Sequence, residues 1–143
     1  MVLRGEAVDA CIERFSGRAL KWGVVDCAKI AGHNLRRLGI STSLIKGLKY
    51  DSEMGAAKVL RSLGVKGLGE AMDRLPGVFP IPPAMATKGD VIGFECDGNL
   101  WDMALTVAAD GGQVFGIHAG LAVTFTPDMT GAIAAWRCNP CRR

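Results

Sequence analysis

Two periodicities divide the chain. As far as about residue 64 the apolar positions recur every three to four residues, the spacing of one helix face; beyond Lys88 they come as short runs broken by turn residues, the spacing of strands. Glu6 to Phe15 sets Ala7, Val8, Cys11, Ile12 and Phe15 on one side and is closed by Gly17. A second helix is predicted from Cys27 to about Leu38, with Asp26 as N-cap, a stripe of Cys27, Ile30, Ala31, Leu35 and Leu38, and Gly39 beyond its end. "YDSEMGAAKVLRSLG" predicts a third, capped by Asp51 or Ser52, with Met54, Ala57, Leu60 and Leu63 repeating on one side before Gly64. Between Val65 and Lys88 the glycines and prolines predict a surface loop with at most one short helix, around Ala71 to Leu75.

Strands are expected at Asp90 to Phe94, Leu100 to Ala108, Gln113 to Ile117, Leu121 to Thr126 and Ile133 to Cys138, with "ADGGQ" as the strongest hairpin turn. Helices first and strands afterwards make an α+β domain: N-terminal helices packed on a C-terminal antiparallel sheet, read here as a meander, within a single domain spanning 1–143.

Composition narrows the function classes. A net charge of +3 with scattered basic residues lacks the footprint of a nucleic-acid binder, and Arg36-Arg37 and Arg142-Arg143 read as solvated faces. No run is long and apolar enough for a membrane span, and "MVLRGEAVDACIERF" has charges where a signal peptide would be apolar, so synthesis in a cytoplasm is expected. Five cysteines, an odd number, stand at 11, 27, 96, 138 and 141 with no framework spacing, which favours a reducing compartment during folding. "CNPC" is half a metal-ligand set: Cys11 and Cys96 would have to converge on it. The plainer reading is a strand end with two free or mutually bonded thiols, and neither metal nor cofactor is expected.

"KWGVVDCAKIAGHNLRRLG" carries the candidate chemistry. A cysteine on the first turn of a helix is either a nucleophile, its thiolate favoured by free N–H groups and the macrodipole, or a small buried apolar residue. Trp22, Trp101 and Trp136 read as core or rim packing, although Trp22 beside Cys27 could line a groove left from a substrate cleft.

"WGVVDCAKIAGHNLRRLG", followed by "KGDVIGF", resembles the NlpC superfamily of papain-like cell-wall peptidases and amidases, and more closely a bacteriophage and prophage branch of unknown function that it matches up to "AWRC". The resemblance implies Cys27 as nucleophile, and the flanking Trp22 and Asp26 are candidate substrate-binding residues. It puts the base histidine at the start of the strand after "KGDVIGF", where this chain has Asp102, and the orienting residue near Gly116. An ionised carboxylate with a reference pKa of about 3.9 is poorly suited to activating a thiol at neutral pH. His118, in "GIHA", is a candidate replacement: it lies two residues beyond the expected place, hence on the same sheet face as Gly116 if that strand continues. His33, six residues after Cys27 on its helix, points to a flank.

These features give the expectation of a phage tail-tip or hub structural protein, located in the virion tail, with a degenerate hydrolase domain. Its partners would be other tail proteins and peptidoglycan. An active peptidase or amidase opening the wall through Cys27 is the alternative, and a metal-holding assembly module stands behind both. Leu75 to Met85, where Val78, Phe79, Ile81 and Met85 lie among prolines, is expected either to contact a neighbouring tail protein or to fold back over the chain's own helices.

Overall fold

The computed structural model describes residues 4–42, 49–96 and 101–139. Its helices are α1 (Arg4–Phe15), α2 (Cys27–Arg37), α3 (Glu53–Ser62) and the short α4 (Leu68–Asp73). The Asp26 side chain caps α2 by accepting the Lys29 N–H at 2.9 Å, and Ser52 rather than Asp51 caps α3, accepting the Gly55 N–H at 3.0 Å. Met54 does not join the apolar stripe of α3: it is 59% exposed, and the helix docks through Ala56, Ala57 and Leu60.

Six strands, β1 (Val78–Ile81), β2 (Val91–Phe94), β3 (Ala104–Ala108), β4 (Val114–His118), β5 (Leu121–Phe125) and β6 (Ala132–Cys138), form one antiparallel sheet in the order β1-β6-β2-β3-β4-β5. The α+β arrangement is as expected, with two corrections. The meander holds only from β2 to β5, because β6 returns to pair with β2. The loop before Lys88 contains β1, an edge strand on β6. Pro80, opposite Trp136, is compatible with that position because an edge strand can leave one side of its backbone unpaired. Within Leu75 to Met85, Leu75 and Val78 are buried by the chain itself, whereas Phe79 and Met85 are 54% and 61% exposed.

Strand alternation gives the sheet two distinct faces. Leu105, with Met103 just before β3, packs in the main core with Cys27, Ala31 and Leu35 of α2, and Val107 and Phe115 join Ile30 and residues of α1. Ile92, Ala108, Val114 and Ala135 cluster on the opposite face. The helices therefore cover one face only, and α2 lies across β3.

Asp90, of "KGDVIGF", ties these parts together. Its fully buried carboxylate pairs with Arg4 of α1 and, at 3.0 Å, with Nε of Arg137 in β6, and it accepts the Thr87 N–H at 2.9 Å. Buried charges persist where they are paired and hydrogen-bonded in this way.

Candidate functional site at the start of α2

The segment leading to Cys27 is a tight turn with Lys21 and Val25 bridged. Gly23 has φ +87°, and a Cβ there would meet the Tyr50 carbonyl oxygen at 1.9 Å, so both conformation and space require glycine. The fully buried Asp26 closes the turn. One carboxylate oxygen accepts the Gly23 N–H and the Tyr50 hydroxyl, each at 2.8 Å, and the other caps the helix. Asp26 is thus fully engaged in building the turn. Burial, and then Asp26, pushes the Tyr50 phenol upward, so it stays a neutral donor.

Cys27 is 9% exposed. Burial pushes its thiol far up; hydrogen bonding to the Leu105 backbone opposes this, and the Asp26 and Cys96 charges reinforce it. Burial thus works against the stabilisation that a helix start offers a thiolate. It belongs to the main apolar cluster with Ala31, Met103 and Leu105, against which Trp22 and Tyr50 pack; Trp22 and Trp101 meet edge to face at 5.0 Å and Tyr50 is edge-on to Trp101 at 6.3 Å. Met103 fits because β2 carries Gly93: a Cβ there would be 2.4 Å from the Met103 sulfur.

Asp102 is occupied elsewhere. It accepts the Leu68 N–H at 2.7 Å and the Gly69 N–H at 3.2 Å, capping α4, whose own N-cap residue Gly67 has no side chain to do so. Gly67 is required for this approach, since a Cβ would lie 2.4 Å from the carboxylate. Strand alternation makes Met103, one residue on, the position that shares Cys27's apolar cluster.

His118 is the last residue of β4, so the strand continues past Gly116 to include it. Both belong with Val114 on the face away from the helices: a Cβ on Gly116 would meet Thr106, and His118 stacks on Phe125 with centroids 4.5 Å apart. His33 sits edge-on to Phe15 at 5.6 Å, its pKa lowered by burial and then by Arg14, Arg36 and Arg37. The chain has two histidines, and each packs on a phenylalanine of a different apolar cluster from that of Cys27.

Among the described residues no group of three or more His, Cys, Asp or Glu is arranged to hold a metal. Cys138 is buried at the end of β6, whereas Cys141, Arg142 and Arg143 lie outside the described residues. Sequence reasoning missed Tyr50 as an Asp26 partner and Met103 as a member of the core cluster that holds Cys27. The second was readable from period-2 alternation through Leu105 and Val107; the first depends on a long-range contact.

Comparison with known proteins adds a family and a fold. A family model described as a domain of unknown function, DUF6950, matches residues 4–138. Among solved structures the chain is similar to RipD from Mycobacterium tuberculosis, described as a non-catalytic NlpC/p60 domain protein with an adaptation to peptidoglycan-binding function. The TM-score is 0.50 at 14% identity, over 95% of this chain and 97% of that one. No curated protein matches the sequence.

Proposed function

Because the chain belongs to the DUF6950 family and has an NlpC/p60-like fold, we propose that it is a non-catalytic structural component of a bacteriophage or prophage tail tip or hub, a degenerate cysteine-hydrolase domain retained for binding. The observation that carries the non-catalytic part is the apolar environment of Cys27. Met103 and Leu105 share its cluster, and His33 and His118 pack against Phe15 and Phe125 instead. A cysteine hydrolase needs an imidazole within hydrogen-bond reach of its nucleophile. Asp102, the residue in the expected base position, is held by the start of α4.

The tail assignment is supported by the sequence resemblance from "WGVVDCAKIAGHNLRRLG" to "AWRC", an associational warrant. On this reading the protein belongs to the virion tail after synthesis in the host cytoplasm. Partners are neighbouring tail proteins, for which exposed Phe79 and Met85 supply apolar contact surface, and peptidoglycan, which the structural neighbour's description names as its own binding function.

Replacing Cys27 by Ala in the encoding phage tests this reading. Normal particles, full infectivity and immunogold label at the tail tip are expected. Normal particles that lose infectivity at wall entry would favour the active peptidase, and label absent from purified virions would remove the structural role.

A further inference from the structure

The fold gathers charge that the sequence spreads out. Residues 14–50 hold eight Lys or Arg and a single acid, Asp26, whereas the whole chain nets only +3. Asp26 is buried in its turn and committed there. Residues 111–127, which include β4 and β5, contain no acid. A charge imbalance of this kind between parts of one chain points to an anionic partner.

These segments meet at one corner of the molecule. The Arg18 N–H donates to the Phe15 carbonyl at 3.0 Å, the Gly17 N–H to the Ala122 carbonyl and the Leu20 N–H to the Gly120 carbonyl, each at 2.8 Å, so the link from α1 to α2 runs along the outer edge of β5. There Leu20, Val24 and Leu121 are 38%, 43% and 43% exposed, beside exposed Arg18 and Lys21. Phe15 continues the basic surface toward α2. The Arg14 guanidinium lies 5.5 Å from the centroid of its ring, His33 meets the ring edge to face, and Arg36 and Arg37 follow His33 by three and four residues, on the same side of that helix. Among the described residues none of Arg14, Arg18, Lys21, Arg36 and Arg37 is in an ion pair.

Exposed aliphatic side chains among such cations are complementary to a surface that is anionic outside and apolar beneath. We propose that this corner docks on an anionic lipid bilayer, with Leu20 and Leu121 entering the headgroup region and the arginines held at lipid phosphates. The aliphatic side chains favour this over a nucleic acid, whose bases are met by aromatic stacking, and over a protein hot spot, where Leu and Val are under-represented. Cations facing a bilayer need not converge on one point, because the attraction reaches over a Debye length of about 8 Å at physiological salt. The contact is interfacial and needs no membrane-crossing helix, of which the described residues contain none. It rests on neither the tail assignment nor the state of Cys27.

The test is co-sedimentation of the full chain with vesicles of phosphatidylcholine alone or of equimolar phosphatidylcholine and phosphatidylglycerol, across a range of salt. Roughly tenfold stronger partition onto the anionic vesicles is expected, falling as salt rises. Arg36→Gln with Arg37→Gln should weaken binding severalfold and flatten its salt dependence. Leu20→Ser with Leu121→Ser should weaken it severalfold and leave the salt dependence unchanged; all four positions are exposed, and both variants should melt cooperatively like the parent. Equal partition onto neutral vesicles, or none onto anionic ones, would overturn the proposal. Parent-like binding of the leucine variant would overturn insertion, and binding of a DNA duplex or of polyglutamate without partition onto anionic vesicles would assign the corner to nucleic acid or to acidic protein instead.

Discussion

Asp26 and Asp102 are carboxylates at positions where the sequence invites a chemical reading, yet both, like the buried Asp90, are committed to structural hydrogen bonds and ion pairs. Asp90 has the largest energetic consequence. Asp90→Ala leaves Arg4 and Arg137 without their shared buried partner and should cost about 3–5 kcal/mol in urea unfolding; a loss below about 1 kcal/mol would show that the pairs are solvent-screened. Asp102→Ala removes only the cap of α4, an expected loss of about 1 kcal/mol, measurable in the same way. Cysteine burial has its own pH signature. Burial pushes Cys11 and Cys138 to about 12, and Cys27 still higher, from an ordinary value of 9.0. Above that ordinary value the unfolded chain has lost thiol protons that the folded chain keeps, so unfolding becomes easier as pH rises. Each thiol contributes at most about 1.4 kcal/mol per pH unit. Denaturation midpoints between pH 8 and 11 should therefore fall steadily, with a shallower fall in Cys11→Ala, and native Cys27 should resist alkylation at pH 8 when half-exposed Cys96 reacts.

At the scale of elements, legibility followed whether a signal was local. Asp26 and Ser52 caps, the α1 and α2 stripes and the β2 to β5 strands depend on neighbours in sequence, and they are where the pattern put them, except that β3 begins at Ala104 and leaves Trp101 and Asp102 outside the expected strand. β1 was hidden because Pro80 argues against a strand; only its pairing to β6, far along the chain, holds it extended. The side of the sheet reached by His118 was hidden for a related reason: alternation groups residues by face but does not say which face the helices cover. The β4–β5 hairpin offers a test at this scale. Ala119 has φ +51°, among the described residues the one non-glycine in the left-handed region, and is followed by Gly120 at φ +80°. A left-handed L-residue costs roughly 1–2 kcal/mol, so Ala119→Gly should raise stability by about 1 kcal/mol after the added backbone entropy of glycine is offset. Thermal denaturation showing a lower melting point would mean that the turn gains something from the Ala119 methyl.

Across the whole molecule, helices on one face of the sheet bury Cys27 among apolar side chains, and each histidine packs in another cluster. Sheet topology alone would permit a hydrolase; the residues at Met103 and Leu105 are what argue against one. Incubation of the purified protein with peptidoglycan sacculi, with released muropeptides followed by mass spectrometry beside a Cys27→Ala control, tests that most directly. The expected result is no release above the control over a prolonged digestion, whereas release by the wild type that disappears in Cys27→Ala would contradict it.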